Sequence, residues 1–217
     1  MESVIDALVP MNDQKKKPFR IVAIHPLHVT EQFLDDLKER FTFNYSPITI
    51  QILNCQVYVT DTNEIVLCSN ETKEVIRRIP STHKYSVHRL TSWESSETKK
   101  GQIVSLSSDS LKARDLDGKG VRIFPGHNGR MTCMEITKDE LYEDVRLISG
   151  SSKGLILIHM FKSAKILYTL DRHVSSISSL CLTVGIRGIE LIASIDKQQN
   201  LRLWELETGE LIREFVA

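Results

Sequence analysis

Three histidines recur along this chain at nearly constant spacing and constrain its fold more than any other feature. His83, His127 and His173 are separated by 44 and 46 residues. Apolar residues follow each histidine at the fourth and seventh positions, which predicts that a new β-strand opens there. These residues are Val87 and Leu90, Met131 and Met134, and Ile177 and Leu180. A repeat of this length predicts an array of similar structural units.

Four stretches of the chain share one further layout. Each has a short apolar strand, a turn, a second strand with alternating polarity, a polar turn and a third strand. The stretches are Gln56–Ile79, Gln102–Phe124, Val145–Leu170 and Glu190–Phe215. With the strand that opens after each histidine, one unit has four short strands, and the units end near residues 79, 124, 170 and 215. Regular four-stranded units favour the blades of a β-propeller over a sandwich.

Two short motifs carry a resemblance to a known family. Gly126 and His127 form a Gly-His pair, and Trp204 and Glu205 approach a Trp-Asp pair. On these motifs and the repeat, residues 48 to 217 resemble the WD-repeat β-propeller family. The Trp-Asp pair itself is nowhere intact, because its equivalents are Arg114 and Asp115, Ile158 and His159, and Cys68 and Ser69. Asp61, Asp109 and Asp196 match the tight-turn acid of the family, and Ser152 stands there in the third unit.

The resemblance implies a structural role for the repeat histidines. A histidine, a hydroxyl, an aspartate and a tryptophan indole can form a hydrogen-bonded chain at the buried corner of a blade. His173, Ser194, Asp196 and Trp204 could complete that chain in the fourth unit. The other units, with His83 and Asp109 or with His127, could build only part of it.

The start of the chain does not follow the repeat. We interpret residues 1–18 as an N-terminal tail and residues 19–217 as the propeller blades. Phe19–Ile24 and Ile48–Leu53 have the pattern of strands. A short helix is expected at about residues 30–41, with Thr30 as its cap and Phe33, Leu34, Leu37 and Phe41 as its apolar stripe. The expected fold is therefore an all-β propeller of about four blades, small or partial, with one short helix.

Composition excludes several functional classes. The 28 Lys and Arg residues balance the 28 Asp and Glu residues, which argues against direct nucleic-acid binding and against a membrane-surface protein. The basic run Lys15, Lys16, Lys17 and Arg20 is interpreted as a solvated tail or a nuclear-import element. Cys55, Cys68, Cys133 and Cys181 lack the spacing of a zinc site or a disulfide framework. No cofactor or metal is expected, and the setting is cytoplasmic or nuclear.

One catalytic motif is matched in its letters but not in its context. Gly150–Gly154 fits G-x-S-x-G, but this run lies between two predicted strands, whereas the nucleophile elbow joins a strand to a helix. The run Ser149–Gly154 also lacks the spacing of a phosphate-binding loop and is interpreted as a turn. The three histidines are dispersed periodically, whereas catalytic groups converge on one site. We therefore expect a protein that is not an enzyme.

The resemblance implies that proteins or peptides bind on the narrower face, where the residues after each histidine emerge. These are Lys84, Ser86, Asn128, Arg130, Val174 and Ser176. Arg130 is the strongest candidate because its guanidinium can pair with carboxylates bidentately. Three segments, Thr91–Gly101, Thr137–Asp144 and Thr183–Gly188, are predicted as loops between strands. Trp93 and Tyr142 in the first two loops either anchor a partner or fold back over a blade edge.

The expected function is a scaffold for protein–protein interactions, as a subunit or adaptor of an intracellular complex. A nucleic-acid-linked assembly factor, acting in ribosome assembly or RNA processing, and a fragment of a propeller-containing enzyme stay open as alternatives. The resembled family usually closes its ring with more than four blades. We therefore expect the chain to be the leading part of a larger propeller, or to be completed by a partner or a second copy through exposed blade edges.

Overall fold

The structure is a computed structural model that describes residues 20–23, 48–60, 62–138, 143–185 and 188–216. For residues 20–23 it describes the backbone. The predicted tail at 1–18, the helix predicted at about 30–41, Asp61 and Tyr142 lie outside the described residues.

The described chain forms four antiparallel sheets that follow one another in sequence. Sheet 1 contains β2 (Ile48–Ile50), β3 (Cys55–Val59), β4 (Glu64–Ser69) and β5 (Val75–Pro80). Sheet 2 contains β6 (Val87–Ser95), β7 (Lys100–Ser107), β8 (Leu111–Asp115) and β9 (Arg122–Phe124). Sheet 3 contains β10 (Met131–Ile136), β11 (Arg146–Ser151), β12 (Ile156–Met160) and β13 (Ile166–Leu170).

Sheet 4 contains β14 (Ile177–Val184), β15 (Glu190–Asp196), β16 (Leu201–Glu205) and β17 (Leu211–Val216). A fifth strand, β1 (Arg20–Ala23), pairs with the outer edge of β17, so that Arg20 lies opposite Val216. The prediction of an all-β chain built from four-stranded units is confirmed for the described residues. Four such sheets in sequence are compatible with a β-propeller-like arrangement.

The sheets repeat in detail as well as in strand number. In sheets 2, 3 and 4 the first strand shifts register one residue after it begins, at His88, Thr132 and Ser178. Each of these residues lies five positions after a repeat histidine. Register shifts of this kind are β-bulges, which bend a strand and redirect its side chains. The histidine therefore marks an equivalent structural position in three units.

A second register shift, between the third and fourth strands, corrects one sequence assignment. It occurs at Cys68, His159 and Trp204 in sheets 1, 3 and 4. His159 lies opposite Leu147 as Trp204 lies opposite Ile192. His159, and not Ile158, therefore stands where the fourth unit has its tryptophan. Residues Leu155–Ile158 are all apolar, so alternation gives no register within this run.

Consecutive sheets pack against each other through three apolar cores, because their middle strands carry apolar residues toward both neighbours. The core between sheets 1 and 2 contains Ile50, Val57, Ile65, Leu67 and Ile103. The core between sheets 2 and 3 contains Trp93, Val104, Leu106, Phe124, Met131, Met134 and Phe161. The core between sheets 3 and 4 contains Cys133, Ile148, Ile156, Ile177, Leu180, Ile192 and Trp204.

Trp93 corrects the prediction of an exposed loop aromatic. Strand β6 continues to Ser95 and β7 begins at Lys100, so only residues 96–99 form a turn. Trp93 lies opposite Gln102 in this ladder, and 5% of it is exposed. Its burial in the core between sheets 2 and 3 rules out a surface anchor. The charged residues around it had suggested a loop, although they lie along the edge of a long hairpin. Thr183 likewise lies within β14 and not in a loop.

Candidate functional site: the histidine corners and the face beside them

The corner of sheet 4 contains a continuous hydrogen-bonded chain of four side chains. Trp204 Nε1 donates to Ser194 Oγ at 2.8 Å, and Ser194 Oγ lies 2.7 Å from His173 Nε2. His173 Nδ1 lies 3.0 Å from Asp196 Oδ2. The structure therefore brings together the four residues that the sequence analysis grouped in the fourth unit. Strands β15 and β16 supply three of them, and the segment before β14 supplies the histidine.

His173 Nδ1 has two neighbours of opposite kind. Asp196 Oδ2 can only accept a hydrogen bond from it, whereas Arg202 Nη1, at 2.6 Å, can only donate one to it. The Ser194 hydroxyl lies 2.7 Å from His173 Nε2 and 3.4 Å from the Arg202 carbonyl, and its oxygen accepts from the Trp204 indole. These contacts fit either tautomer of His173. The pKa of His173 is lowered to about 4, mainly by burial and also by Arg202, against the opposing effect of Asp196. The ring is therefore neutral at pH 7.

Asp196 is itself fully partnered at this corner. Burial alone would raise its pKa, but hydrogen bonds from Asn200 and His173 outweigh burial and lower it. The backbone N–H groups of Gln198 and Asn200 donate to Oδ1 at 2.9 and 3.0 Å. Arg202 Nη1 lies 3.9 Å from Oδ2, and the same guanidinium pairs with Glu214. Every charge at this corner thus has an opposite charge beside it.

A serine, a histidine and an aspartate in this order resemble a hydrolytic triad, but the site is closed. Ser194 is fully buried, and its oxygen already accepts the Trp204 indole hydrogen. A nucleophile must reach a substrate carbonyl, and this hydroxyl has no open side. The chain of hydrogen bonds therefore acts to satisfy buried polar groups.

In the corner of sheet 2 the histidine is linked to its aspartate through a serine hydroxyl. His83 Nε2 lies 2.8 Å from Ser105 Oγ, and His83 Nδ1 lies 2.8 Å from Ser110 Oγ. Ser110 Oγ donates to Asp109 Oδ2 at 2.9 Å, so the aspartate is reached through a hydroxyl. Burial lowers the pKa of His83 to about 4, with Lys112 as the second cause. In register, Ser107 and not Asp109 occupies the position of Asp196, because each lies opposite the first residue of its neighbouring strand.

The corner of sheet 3 is the least complete of the three. His127 Nε2 lies 2.8 Å from Ser149 Oγ, and its buried Nδ1 has no partner. The pKa of His127 is lowered to about 4, mainly by burial and also by the nearby His159. His159 Nε2 donates to the carbonyl of Pro125 at 2.8 Å and so holds the segment that precedes His127. Ser152, the predicted turn residue, instead donates its backbone N–H to Arg130 O at 2.7 Å.

The segments after the three histidines are anchored at one end of the sheets. We call the surface formed by residues 84–86, 128–130 and 174–176 the histidine face. Its first segment is held by Lys84 N, which donates to Asp109 Oδ2 at 3.3 Å. Its third segment is held by Lys197 N, which donates to Ser176 O at 2.8 Å. A Cβ on Gly154, whose φ is +78°, would collide with the His173 carbonyl, so this turn needs glycine.

Neighbouring sheets hold the same segments from the other side. Asn63, in the turn after β3, donates to Tyr85 O at 3.2 Å and accepts from Val87 N at 2.8 Å. Met131 N donates to Ser108 O at 3.3 Å. Each segment therefore lies between the turn of its own sheet and the turn of the preceding sheet. This arrangement places the predicted binding residues on one surface.

Most of the predicted binding residues are exposed on the histidine face. Lys84, Ser86, Asn128 and Arg130 are exposed, and Val174 is 79% exposed. Ser176 is half-buried, and its hydroxyl is buried without a partner. The sequence analysis missed Tyr85, which is 53% exposed with Lys84 Nζ 5.5 Å from its ring centre. An aromatic between two predicted contact residues was the signal that could have found it.

The histidine end of the sheets carries an excess of positive charge. The described turns and segments at this end contain five cations, Lys84, Arg130, Lys153, Arg172 and Lys197. They contain two carboxylates, Asp109 and Asp171. Asp109 is held by hydrogen bonds within the corner, which lower its pKa to about 2 although burial alone would raise it.

The described part of the chain contains no group of three or more histidine, cysteine or acidic residues placed to hold a metal ion. All four cysteines are free thiols. Among these residues no helix has the length and apolar character needed to cross a bilayer.

Comparison with known proteins bears on the fold alone. No protein-family model and no curated protein matches the chain. The crystal structure of the computationally designed Ika4 protein is similar, with a TM-score of 0.57 at 19% sequence identity. The match covers 70% of this chain and 85% of that one. At this identity the likeness extends to the arrangement of strands and carries no information on activity.

Proposed function

We propose that this chain is a WD-repeat-like β-propeller, or part of one, and acts as a non-enzymatic scaffold for protein–protein interactions. In this proposal it is a subunit or adaptor of a larger intracellular complex and binds proteins or peptides on the histidine face. The supporting observation is that three equivalent segments present exposed side chains at one end of the sheets. Turns of two sheets form hydrogen bonds at the first and second segments, and the turn of sheet 4 holds the third beside Gly154. A preorganised surface loses little conformational entropy on binding.

The chemistry of that surface suits an acidic partner. Lys84 and Arg130 are exposed there, and positive charges outnumber carboxylates in the described turns at this end. Val174 and Tyr85 add apolar area beside these charges. Aromatic and arginine side chains contribute most to interface energies, and a positive rim speeds encounter with an acidic partner.

The absence of catalysis is part of the same proposal. It is supported by the burial of Ser194 and by the low pKa of each repeat histidine. A general base works best with a pKa near the operating pH, and these rings are shifted away from it.

A capture experiment tests the proposed face. Wild-type protein and a Lys84→Glu/Arg130→Glu variant are used as bait in cell extract, and the captured proteins are identified by mass spectrometry. The matched control is Lys119→Glu/Lys165→Glu, which changes charge equally at the opposite end of the sheets. We expect the control to retain the partner and the Lys84/Arg130 variant to bind it at least about tenfold more weakly. Equal retention by both variants, or capture of no protein by the wild type, would overturn the proposal.

A further inference from the structure

Two cations on β8 are buried without an opposite charge. Lys112 and Arg114 are 7% and 4% exposed, and they lie two residues apart on one face of the strand. Lys112 Nζ donates to Thr82 O at 2.7 Å and to Thr82 Oγ1 at 3.3 Å. Arg114 Nη2 donates to Thr82 Oγ1 at 2.5 Å. Within the described ranges no carboxylate forms an ion pair with either of them.

This arrangement is energetically incomplete. Buried charges are normally paired with opposite charge, because desolvation of an isolated ion is expensive. The oxygens of one threonine are neutral and offset only part of that cost. Arg114 Nε is also buried without a hydrogen-bond partner, and burial lowers the pKa of this guanidinium. The site therefore has several hydrogen-bond donors and, among the residues that the structure describes, no carboxylate to accept their hydrogen bonds.

Sheet 4 shows what the equivalent position contains when the charge is balanced. Lys112 lies opposite Ile123 as Arg202 lies opposite Glu214, so the two pairs occupy equivalent places. Arg202 also has an unpartnered Nε, but its guanidinium pairs with Glu214 and lies near Asp196. Ile123 supplies no charge and is 56% exposed. In sheet 2 the position of Glu214 is therefore occupied by a largely exposed apolar side chain and carries no carboxylate.

We infer that Lys112, Arg114 and Thr82 form a binding site for a phosphate-class oxyanion between β5 and β8. The lysine supplies a compact positive charge, the arginine a planar fork of donors and the threonine a hydroxyl. Tetrahedral oxyanions accept several charge-assisted hydrogen bonds of this kind at once. Thr82 is exposed, which leaves an approach from solvent. This inference is independent of the protein-binding proposal.

The experiment measures thermal unfolding of the full chain in rising inorganic phosphate, with chloride at matched ionic strength as reference. A ligand that binds only the folded state raises the unfolding temperature, and the rise grows with the logarithm of the ligand concentration once this exceeds the Kd. We expect this rise for the wild type, and also for phenyl phosphate if the site admits a monoester. A rise in unfolding temperature with inorganic phosphate but not with phenyl phosphate would assign the site to the free anion. Both results support the site.

Two variants at exposed isoleucines decide whether the effect arises at this site. Ile123→Glu installs a carboxylate at the position of Glu214 and should weaken phosphate binding at least about tenfold, because it supplies the missing charge internally. Ile166→Glu adds the same charge on the outer strand of sheet 3 and should bind phosphate as the wild type does. Calorimetric titration of both variants measures binding without reference to stability. A wild type that responds equally to phosphate and chloride, or two variants that bind alike, would overturn the inference.

Discussion

The corners of sheets 4 and 2 begin with the same pair, a histidine whose Nε2 lies against a buried serine. From there they differ. In sheet 4 the serine accepts a tryptophan indole, and the histidine Nδ1 lies directly against Asp196 and Arg202. In sheet 2 the tryptophan position holds Arg114, and the histidine reaches Asp109 through Ser110. The corner of sheet 4 joins four side chains and has balanced charge. The corner of sheet 2 contains unpaired positive charge.

This difference shows which parts of a repeated corner can change independently. The histidine and serine are retained in sheets 2, 3 and 4, because each satisfies a polar group of the other in a buried place. The tryptophan and the aspartate vary, because other side chains or a relaying hydroxyl can fill their positions. Where the tryptophan and the aspartate are replaced, polar groups are left without full partners. Sheet 2 has unbalanced charge, and sheet 3 has the unpartnered Nδ1 of His127.

Substitution at the tryptophan position should give the largest difference in free energy of unfolding between the corners of sheets 4 and 2. Trp204→Ala removes a large buried side chain that also closes the hydrogen-bonded chain, and should cost about 3–5 kcal/mol in the free energy of unfolding. Arg114→Met replaces a buried cation that lacks an ion-pair partner, and should change stability by less than about 1 kcal/mol or increase it. Urea unfolding measures both. A larger loss for Arg114→Met than for Trp204→Ala would contradict the comparison.

Substitution of the two aspartates should give a smaller difference in stability loss than substitution at the tryptophan position. The larger loss is again expected in sheet 4. Asp196→Asn removes a buried charge that accepts from Gln198 and Asn200, lies 3.0 Å from His173 Nδ1 and is near Arg202, and should cost about 2–3 kcal/mol. Asp109 is exposed, and its nearest contact with His83 Nδ1 is 3.8 Å. Asp109→Asn should therefore cost less than about 1 kcal/mol. The same urea experiment provides the test, and equal losses would show that the relay through Ser110 is as important as the direct bond.

The repeat could be predicted from sequence because its signal is local. The apolar residues at the fourth position after each histidine open β6, β10 and β14 as expected. Alternation was less informative. In β16 leucines alternate with charged residues, a pattern typical of one buried and one exposed face, but the structure buries both Leu203 and Arg202, and Arg202 pairs with a glutamate twelve residues away. Hydrophobic periodicity indicates which residues are polar. It does not show whether a buried charged side chain forms an ion pair.

The corners show the same limit. His173, Ser194, Asp196 and Trp204 could be grouped because they fit a known pattern. The relay through Ser110 could not be predicted, since it depends on a turn in sheet 2 that brings Asp109 two residues past the register position of Asp196. Trp93 was misplaced because a polar run resembles a loop, although long hairpins also expose such residues at their edges.

The repeat histidines also make stability depend on pH with a definite sign. Burial lowers the pKa of His83, His127 and His173 from 6.5 to about 4. Between these values the unfolded chain binds more protons than the folded chain, so stability rises with pH there. The stabilisation is complete above about pH 6.5 and is lost as the pH falls toward 4.

The central claim is that the repeat histidines are neutral structural groups that support the histidine face. Nuclear magnetic resonance of the imidazole nitrogens and carbon-bound hydrogens, followed from neutral to acidic pH, tests it directly. We predict that His83, His127 and His173 stay neutral until the pH approaches about 4. Titration of these rings near pH 6.5 would contradict the account.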